Sequence, residues 1–207
     1  MDAIQTDRLI LRRATSGDVA AMHAVLRSPV AMRYWSTPPH RTIRQTGDWL
    51  RSMIYASSAE SMDFVLEYEG EVIGKAGCWR LPEIGFILHP DHWGKGLAHE
   101  ALTAIIGQLF AHYPVHAITA DVDPRNTACL ALLGRLGFSQ TGRAARTWLV
   151  GDEWCDSIYL ALPRPEASAT NCPGSKPSAQ RPVSRPSPPA RQETFDRHTP
   201  DTGTSSG

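Results

Sequence analysis

The residues whose types and order could do chemistry run without a break from Glu83 to Ala98: Glu83-Ile84-Gly85-Phe86-Ile87-Leu88-His89-Pro90-Asp91-His92-Trp93-Gly94-Lys95-Gly96-Leu97-Ala98. Ile84 to Leu88 reads as a strand, and His89-Pro90 ends it. Gly94 and Gly96 then lead straight into a helix of about four turns, with Ala98, Ala101, Leu102, Ile105, Ile106, Leu109 and Phe110 on one face. The first turn of a helix has N–H groups without partners and a partial positive charge. Glycines there remove the side chains that would keep a phosphate at a distance. A strand, a Gly-x-Gly turn and a helix thus make a cradle for an anion. Gly94-Lys95-Gly96 lacks the third glycine of a dinucleotide fingerprint and the Gly-Lys-Ser/Thr ending of a nucleotide P-loop. Spacing alone therefore leaves open which anion binds, and also whether the glycines only shape a tight turn.

Other reactive side chains carry less. His89, His92 and His99 lie close in sequence, but no His-Glu-x-x-His or Cys/His framework accompanies them, so no metal is expected. Cys78, Cys129, Cys155 and Cys172 show no Cys-x-x-Cys spacing and read as reduced thiols of a cytoplasmic protein.

The elements that must position the cradle follow from pattern. Leu9-Ile10-Leu11 opens as a strand, and Asp18 introduces a helix with Val19, Met22 and Leu26 at helical spacing. Pro38-Pro39 breaks the chain before Thr42-Ile43-Arg44-Gln45, a capping-box spacing followed by a stripe of Ile43, Leu50 and Ile54. Phe64-Val65-Leu66 and Val72-Ile73 flank a Glu69-Gly70 turn, a hairpin signal. After the long helix, Ala117 to Val122 is a strand. Asn126 then caps a helix with Leu130, Leu133 and Leu136 that stops at Gly137. Strands around Thr147–Val150 and Ser157–Leu162 close the pattern through Gly151-Asp152, and there is no internal repeat. Helices interleaved with strands indicate a mixed α/β sheet with helices on its faces.

Composition excludes several classes. Residues 163–207 hold nine of the sixteen prolines and seven serines, but no Ile, Leu, Met, Trp or Tyr. Such a stretch buries too little apolar surface to offset chain entropy and is expected to be a disordered tail. Residues 1–162 keep all six tryptophans and are expected to form the folded domain. That part has 15 basic and 17 acidic residues, so it lacks the cationic excess of a nucleic-acid binder. Its apolar runs are shorter than the roughly 20 residues of a membrane span. Met1-Asp2-Ala3-Ile4-Gln5 has neither a basic leader nor an apolar stretch, so no secretory signal is expected.

The whole segment from Glu83 to Leu102 resembles the acetyl-CoA-binding motif of the GNAT acetyltransferase superfamily, in particular the branch of ribosomal-protein N-terminal (alanine) acetyltransferases. Three further stretches are similar to that branch. They are Thr6-Asp7-Arg8-Leu9-Ile10-Leu11-Arg12, Val122-Asp123-Pro124-Arg125-Asn126 leading to Leu136-Gly137-Phe138, and the ending with Trp154, Asp156 and Tyr159. The resemblance spans roughly residues 5–162. It implies a mixed, mostly antiparallel central sheet of about six to seven strands, splayed in the middle and flanked by about four helices. It implies acetyl-CoA as co-substrate, with Trp93, Gly94, Lys95, Gly96, Leu97 and Ala98 at its pyrophosphate. Phe86, Ile87 and Leu88 would pair with the pantetheine arm, and Asn126 would meet that arm from the other side. A backbone N–H near Leu88 would face the thioester carbonyl and stabilise the developing oxyanion.

Two proton movements remain, one from the attacking amine and one to the departing thiolate. Where relatives carry a serine or a tyrosine as proton donor, this chain has Cys129 and Leu133. Cys129 is then either a substitute donor, weaker than a hydroxyl, or a small core residue. Glu83 stands where the family often places its base, with Asp121 and His40 as lesser candidates; a slip of one residue in register would turn Glu83 away. The Trp35-Ser36-Thr37-Pro38-Pro39-His40 loop corresponds to the segment that covers the acceptor site in the superfamily. The expected activity is N-acetyl transfer from acetyl-CoA to a primary amine, either a protein N-terminus or a small molecule, by a monomer or homodimer. The departures at Cys129 and Leu133 instead suit a non-catalytic acyl-CoA-binding module, and the cradle alone would also suit a nucleotide-binding domain.

Overall fold

The computed structural model describes residues 3–166. Its strands are β1 (Ala3–Gln5), β2 (Leu9–Arg12), β3 (Met62–Tyr68), β4 (Glu71–Arg80), β5 (Glu83–Leu88), β6 (Ala117–Val122), β7 (Ser139–Val150) and β8 (Glu153–Pro163). Its helices are α1 (Val19–Leu26), α2 (Ile43–Ile54), α3 (Leu97–His112) and α4 (Thr127–Arg135). The strands form one sheet in the order β1-β2-β3-β4-β5-β6-β8-β7. Every neighbouring pair is antiparallel except β5 and β6, which run parallel.

The expected six to seven strands become eight because β1, three residues before the expected opening strand, pairs with β2. A strand that short has too few residues to show a period of two. The closing hairpin is also longer than expected, with a register shift between Ala144 and Trp148 and Arg146 at φ 54°.

Both faces of the sheet are covered, which is why its central strands read as continuous apolar runs. On one face α1 and α2 enclose Met22, Val25, Leu26, Leu50 and Met53 with Val65 and Ile87. On the other α3 and α4 place Leu102, Ile105, Leu109 and Leu133 against Phe64, Leu66, Leu88 and Ile118. The expected cap of α2 forms: Gln45 N donates to Thr42 Oγ1 at 3.2 Å, while Arg41 N donates to the Gln45 side chain at 3.0 Å. Its inner face, however, is Thr46, Leu50 and Met53, and Ile43 is exposed. Thr46 turns inward because its hydroxyl is bound by His23 Nδ1 at 2.8 Å and His40 Nδ1 at 2.9 Å, a role that a polarity pattern does not signal.

β8 continues to Pro163, and the Arg164 guanidinium donates to the carbonyls of Phe110 in the last turn of α3 and of Tyr113 and Val115 just beyond it. A cation at a helix C-terminus is favourably placed. Beyond Glu166 the tail expected from Pro163 onward lies outside the described residues. Among the described residues no helix is long and apolar enough to cross a membrane, and no group of His, Cys, Asp and Glu is arranged to hold a metal.

Candidate active site

The sheet opens where its one parallel pair meets. β5 and β6 share only the register pair Glu83 and Thr119, with Thr119 N donating to Pro82 O at 3.0 Å. Past that point β6 follows β8 and β5 follows β4, so a gap widens between them. His89 N donates to Ile73 O at 2.8 Å. In an antiparallel ladder bonding alternates, so Ile87 and Gly85 also bond β4 through Lys75 and Gly77. Phe86 and Leu88 therefore turn their backbone groups to the gap. The Leu88 carbonyl is taken by the Trp93 indole Nε1 at 3.0 Å. The edge offered to an extended ligand is thus Phe86 and Leu88. Ile87, expected on that edge, bonds β4 instead because the backbone alternates with a period of two.

The gap leads to the glycine turn. Gly94 and Gly96 adopt φ of 72° and 78°, in the left-handed region that side chains disfavour. Gly96 is the N-cap of α3 and offers no side chain to the first-turn N–H groups. A Cβ on Gly94 would meet nothing within 4 Å, so the space in front of the turn is open. Leu97 is buried and anchors the helix in the core, Ala98 is half-buried, and Lys95 is exposed. This is the geometry of an anion site built from peptide amides.

The turn has a support that spacing did not reveal. Arg8 Nη1 donates to Lys95 O at 2.9 Å, and Arg8 Nε donates to Glu100 Oε2 at 2.7 Å. Thr6 Oγ1 donates to Glu100 Oε1 at 2.6 Å, and the Arg8 backbone N–H donates to the same oxygen at 2.8 Å. Burial alone would raise the Glu100 carboxyl, but the Thr6 and Arg8 bonds hold it below the usual range. The opening Thr6-Asp7-Arg8 is thereby stapled to the first turn of α3.

Across the gap, Asn126 caps α4 as expected, its Oδ1 accepting from Cys129 N at 3.2 Å. Cys129 packs against the main core, and burial pushes its thiol up to about 12. Leu133 is buried in the same core.

The face under α1 and α2 is acidic. Strand alternation puts Asp63, Glu83, Gly85, Thr119 and Asp121 on that face, since Met62, Phe64, Ile84, Ile118, Ala120 and Val122 point to the α3 side. Glu83 is exposed at the start of β5, and partial desolvation by its surroundings and then the charge of Asp121 raise its carboxyl, with Arg80 opposing. Asp121 Oδ2 accepts from Trp148 Nε1 at 2.9 Å. Asp63 is paired with Lys75 at 2.7 Å, and Lys75 Nζ lies 5.8 Å from the Trp35 ring centroid. His40 is held by Thr46 and stacks edgewise on Trp49, so it belongs to the α1–α2 packing. Arg125 joins Asp123 and Glu153 and lies over the Tyr34 ring at 5.9 Å, tying three loops together.

The acetyltransferase (GNAT) domain family matches residues 8–139, more than half of the chain. The chain belongs to the GNAT acetyltransferase family. It is 26% identical over 183 residues to the spermidine N(1)-acetyltransferase of Escherichia coli, covering 82% of this chain and 96% of that protein. It is 34% identical over 105 residues to the ribosomal protein uS5-alanine N-acetyltransferase of the same organism, covering 47% of this chain and 54% of that one. The crystal structure of a GNAT acetyltransferase from Bacillus anthracis superposes with a TM-score of 0.69 at 24% identity, covering 78% of this chain and 98% of that chain. Relatives of this GNAT domain thus include enzymes named for a ribosomal-protein acceptor and for a polyamine.

Proposed function

We propose that this GNAT acetyltransferase moves the acetyl group of acetyl-CoA to a primary amine by direct attack, with both substrates bound together. The observation that carries the reading is the gap between β5 and β6, which has free amides at Phe86 and Leu88 and ends at the Gly94–Ala98 turn. A pantetheine arm fits such an edge as an added strand fits a sheet, and a diphosphate fits the helix N-terminus. The Leu88 N–H then supplies a fixed donor for the oxygen that gains charge during attack. Glu83, on the face opposite α3 and raised by partial desolvation and Asp121, is suited to take a proton from the ammonium group. Asn126 and α4 form the far wall of the gap. Cys129, half-buried and protonated, packs that helix rather than feeding a proton to the thiolate.

The test is release of free thiol from acetyl-CoA in the presence of spermidine or an alanine-terminated peptide. Turnover is expected with a member of this panel, and Glu83→Gln is expected to lower kcat by about 10²–10⁴-fold. Acetyl-CoA should stabilise that variant as well as the wild type. Absence of turnover with every amine would remove the reading.

A further inference from the structure

The Gly94–Ala98 turn is open beside Gly94 and flanked by Arg8 beside Gly96. A Cβ on Gly94 would meet nothing within 4 Å, whereas one on Gly96 would stand 3.5 Å from Arg8 Nη2. The guanidinium holds two groups there. Its Nη1 donates to Lys95 O at 2.9 Å, while its Nε and Nη2 each lie 2.7 Å from Glu100 Oε2. Thr6 Oγ1 and the Arg8 backbone N–H donate to Glu100 Oε1 at 2.6 and 2.8 Å. Four donors thus occupy one carboxylate whose side chain is only 16% exposed, unlike a loose surface pair.

Both contacts bear on an anion at the turn. The peptide bond is planar and trans, so a Lys95 carbonyl held by Arg8 points the Gly96 N–H of the same peptide away from the guanidinium. That fixes the direction of one amide of the cradle. Glu100 is the acidic residue in the first turn of α3. An unpaired carboxylate there would itself satisfy the positive end of the helix and would repel a diphosphate. Paired with Arg8 and bonded by Thr6, it does neither.

We propose that Arg8 is a positioning residue for acetyl-CoA: by holding the Lys95 carbonyl and neutralising Glu100, it keeps the amides of the turn oriented and free for the diphosphate. Thr6 completes the device by fixing Glu100 in place for Arg8. This deepens the proposed function and rests on its placing of the coenzyme at this turn, but not on the transfer step.

Arg8→Met removes the charge and keeps an unbranched stem. Calorimetric titration with acetyl-CoA should give a Kd about 5–30-fold above that of the wild type, the range that a charge at a helix end spans. S-acetylpantetheine carries the same thioester arm without a phosphate, so its Kd, read by NMR titration, should stay within about twofold of wild type. Combining Arg8→Met with Glu100→Gln removes the carboxylate charge as well and should recover at least about threefold of the lost acetyl-CoA affinity. A purely structural staple would leave the double variant no better than Arg8→Met. Arg8→Lys offers one ammonium, which cannot hold the carbonyl and the carboxylate as the planar fork does. It should bind acetyl-CoA at least about threefold more weakly than wild type, and it gives the answer if Arg8→Met does not fold. Wild-type acetyl-CoA affinity in Arg8→Met, an equal loss with S-acetylpantetheine, or a double variant that recovers nothing would overturn the proposal. A wild type that binds acetyl-CoA but acetylates no amine loses the transfer reading while these titrations still decide the role of Arg8. A wild type that binds no acetyl-CoA ends both.

Discussion

Replacing Lys75 by methionine, which keeps the length of the side chain, tests whether the Asp63–Lys75 pair works as a buried ion pair. The two side chains are 2.7 Å apart and only 2% and 4% exposed, and Asp63 has no other partner. Lys75→Met therefore leaves a carboxylate buried with neither oxygen satisfied, a loss of about 3–5 kcal/mol. In a domain of this size each kcal/mol moves the melting temperature by about 2–4 °C, so a fall of about 6–20 °C is expected. Adding Asp63→Asn removes the stranded charge, and the double variant should recover at least about 1 kcal/mol relative to the sum of the single ones. Lowering the pH should also rescue Lys75→Met selectively, because an unpaired buried carboxylate has a raised folded-state pKa and its penalty disappears once it is protonated. Thermal and urea denaturation of the four proteins at pH 7.5 and pH 5 gives the cycle. Additive losses, or a Lys75→Met protein within about 0.5 kcal/mol of wild type, would refute the argument, since surface pairs behave that way.

Further expectations concern protons and packing. Partial desolvation and the Asp121 charge raise the Glu83 carboxyl, so activity should fall as pH drops through that raised value. Asp121→Asn, by removing the like charge, should move the acid limb of the kcat/KM profile to lower pH; an unmoved limb would break the link between the two carboxylates. Burial and then the charge of His23 hold His40 below its ordinary value. The unfolded chain therefore takes up a proton near pH 6.5 before the folded protein does, and stability should decline below that pH until the folded His40 is itself protonated. Urea midpoints at pH 7.5 and 5.5 for wild type and His40→Gln measure this, and equal pH dependence in both would assign it elsewhere. Cys129, with a thiol pushed up to about 12, should tolerate serine with less than about threefold change in kcat and a stability loss of about 1 kcal/mol. A fall in kcat of a hundredfold or more would make it a proton donor.

The parts of this protein that were legible in its sequence are those that depend on neighbours along the chain. The helical spacing from Ala98 to Phe110, the glycine pair ahead of it, the Glu69-Gly70 hairpin and the caps at Thr42 and Asn126 all appear where their local signals lie. Propensity and capping act within one or two turns of backbone, so a linear reading captures them. The short β1 escaped because three residues show no period. The face of α2 was misjudged because Thr46 is buried by bonds to two histidines from other segments.

Sequence by itself determined that a strand and a helix would meet at an amide-lined turn, because glycine conformation and helix-end polarity are properties of a few consecutive residues. Only the tertiary structure decided that Arg8 and Glu100, 92 positions apart, would brace that turn, and that Ile87 would face β4 while Phe86 and Leu88 face the gap. It alone also set Asp63 opposite Gly77, which pairs in turn with Gly85. These outcomes depend on strand register, where a shift of one residue reverses every side chain and every amide, and register is set by packing across the whole sheet.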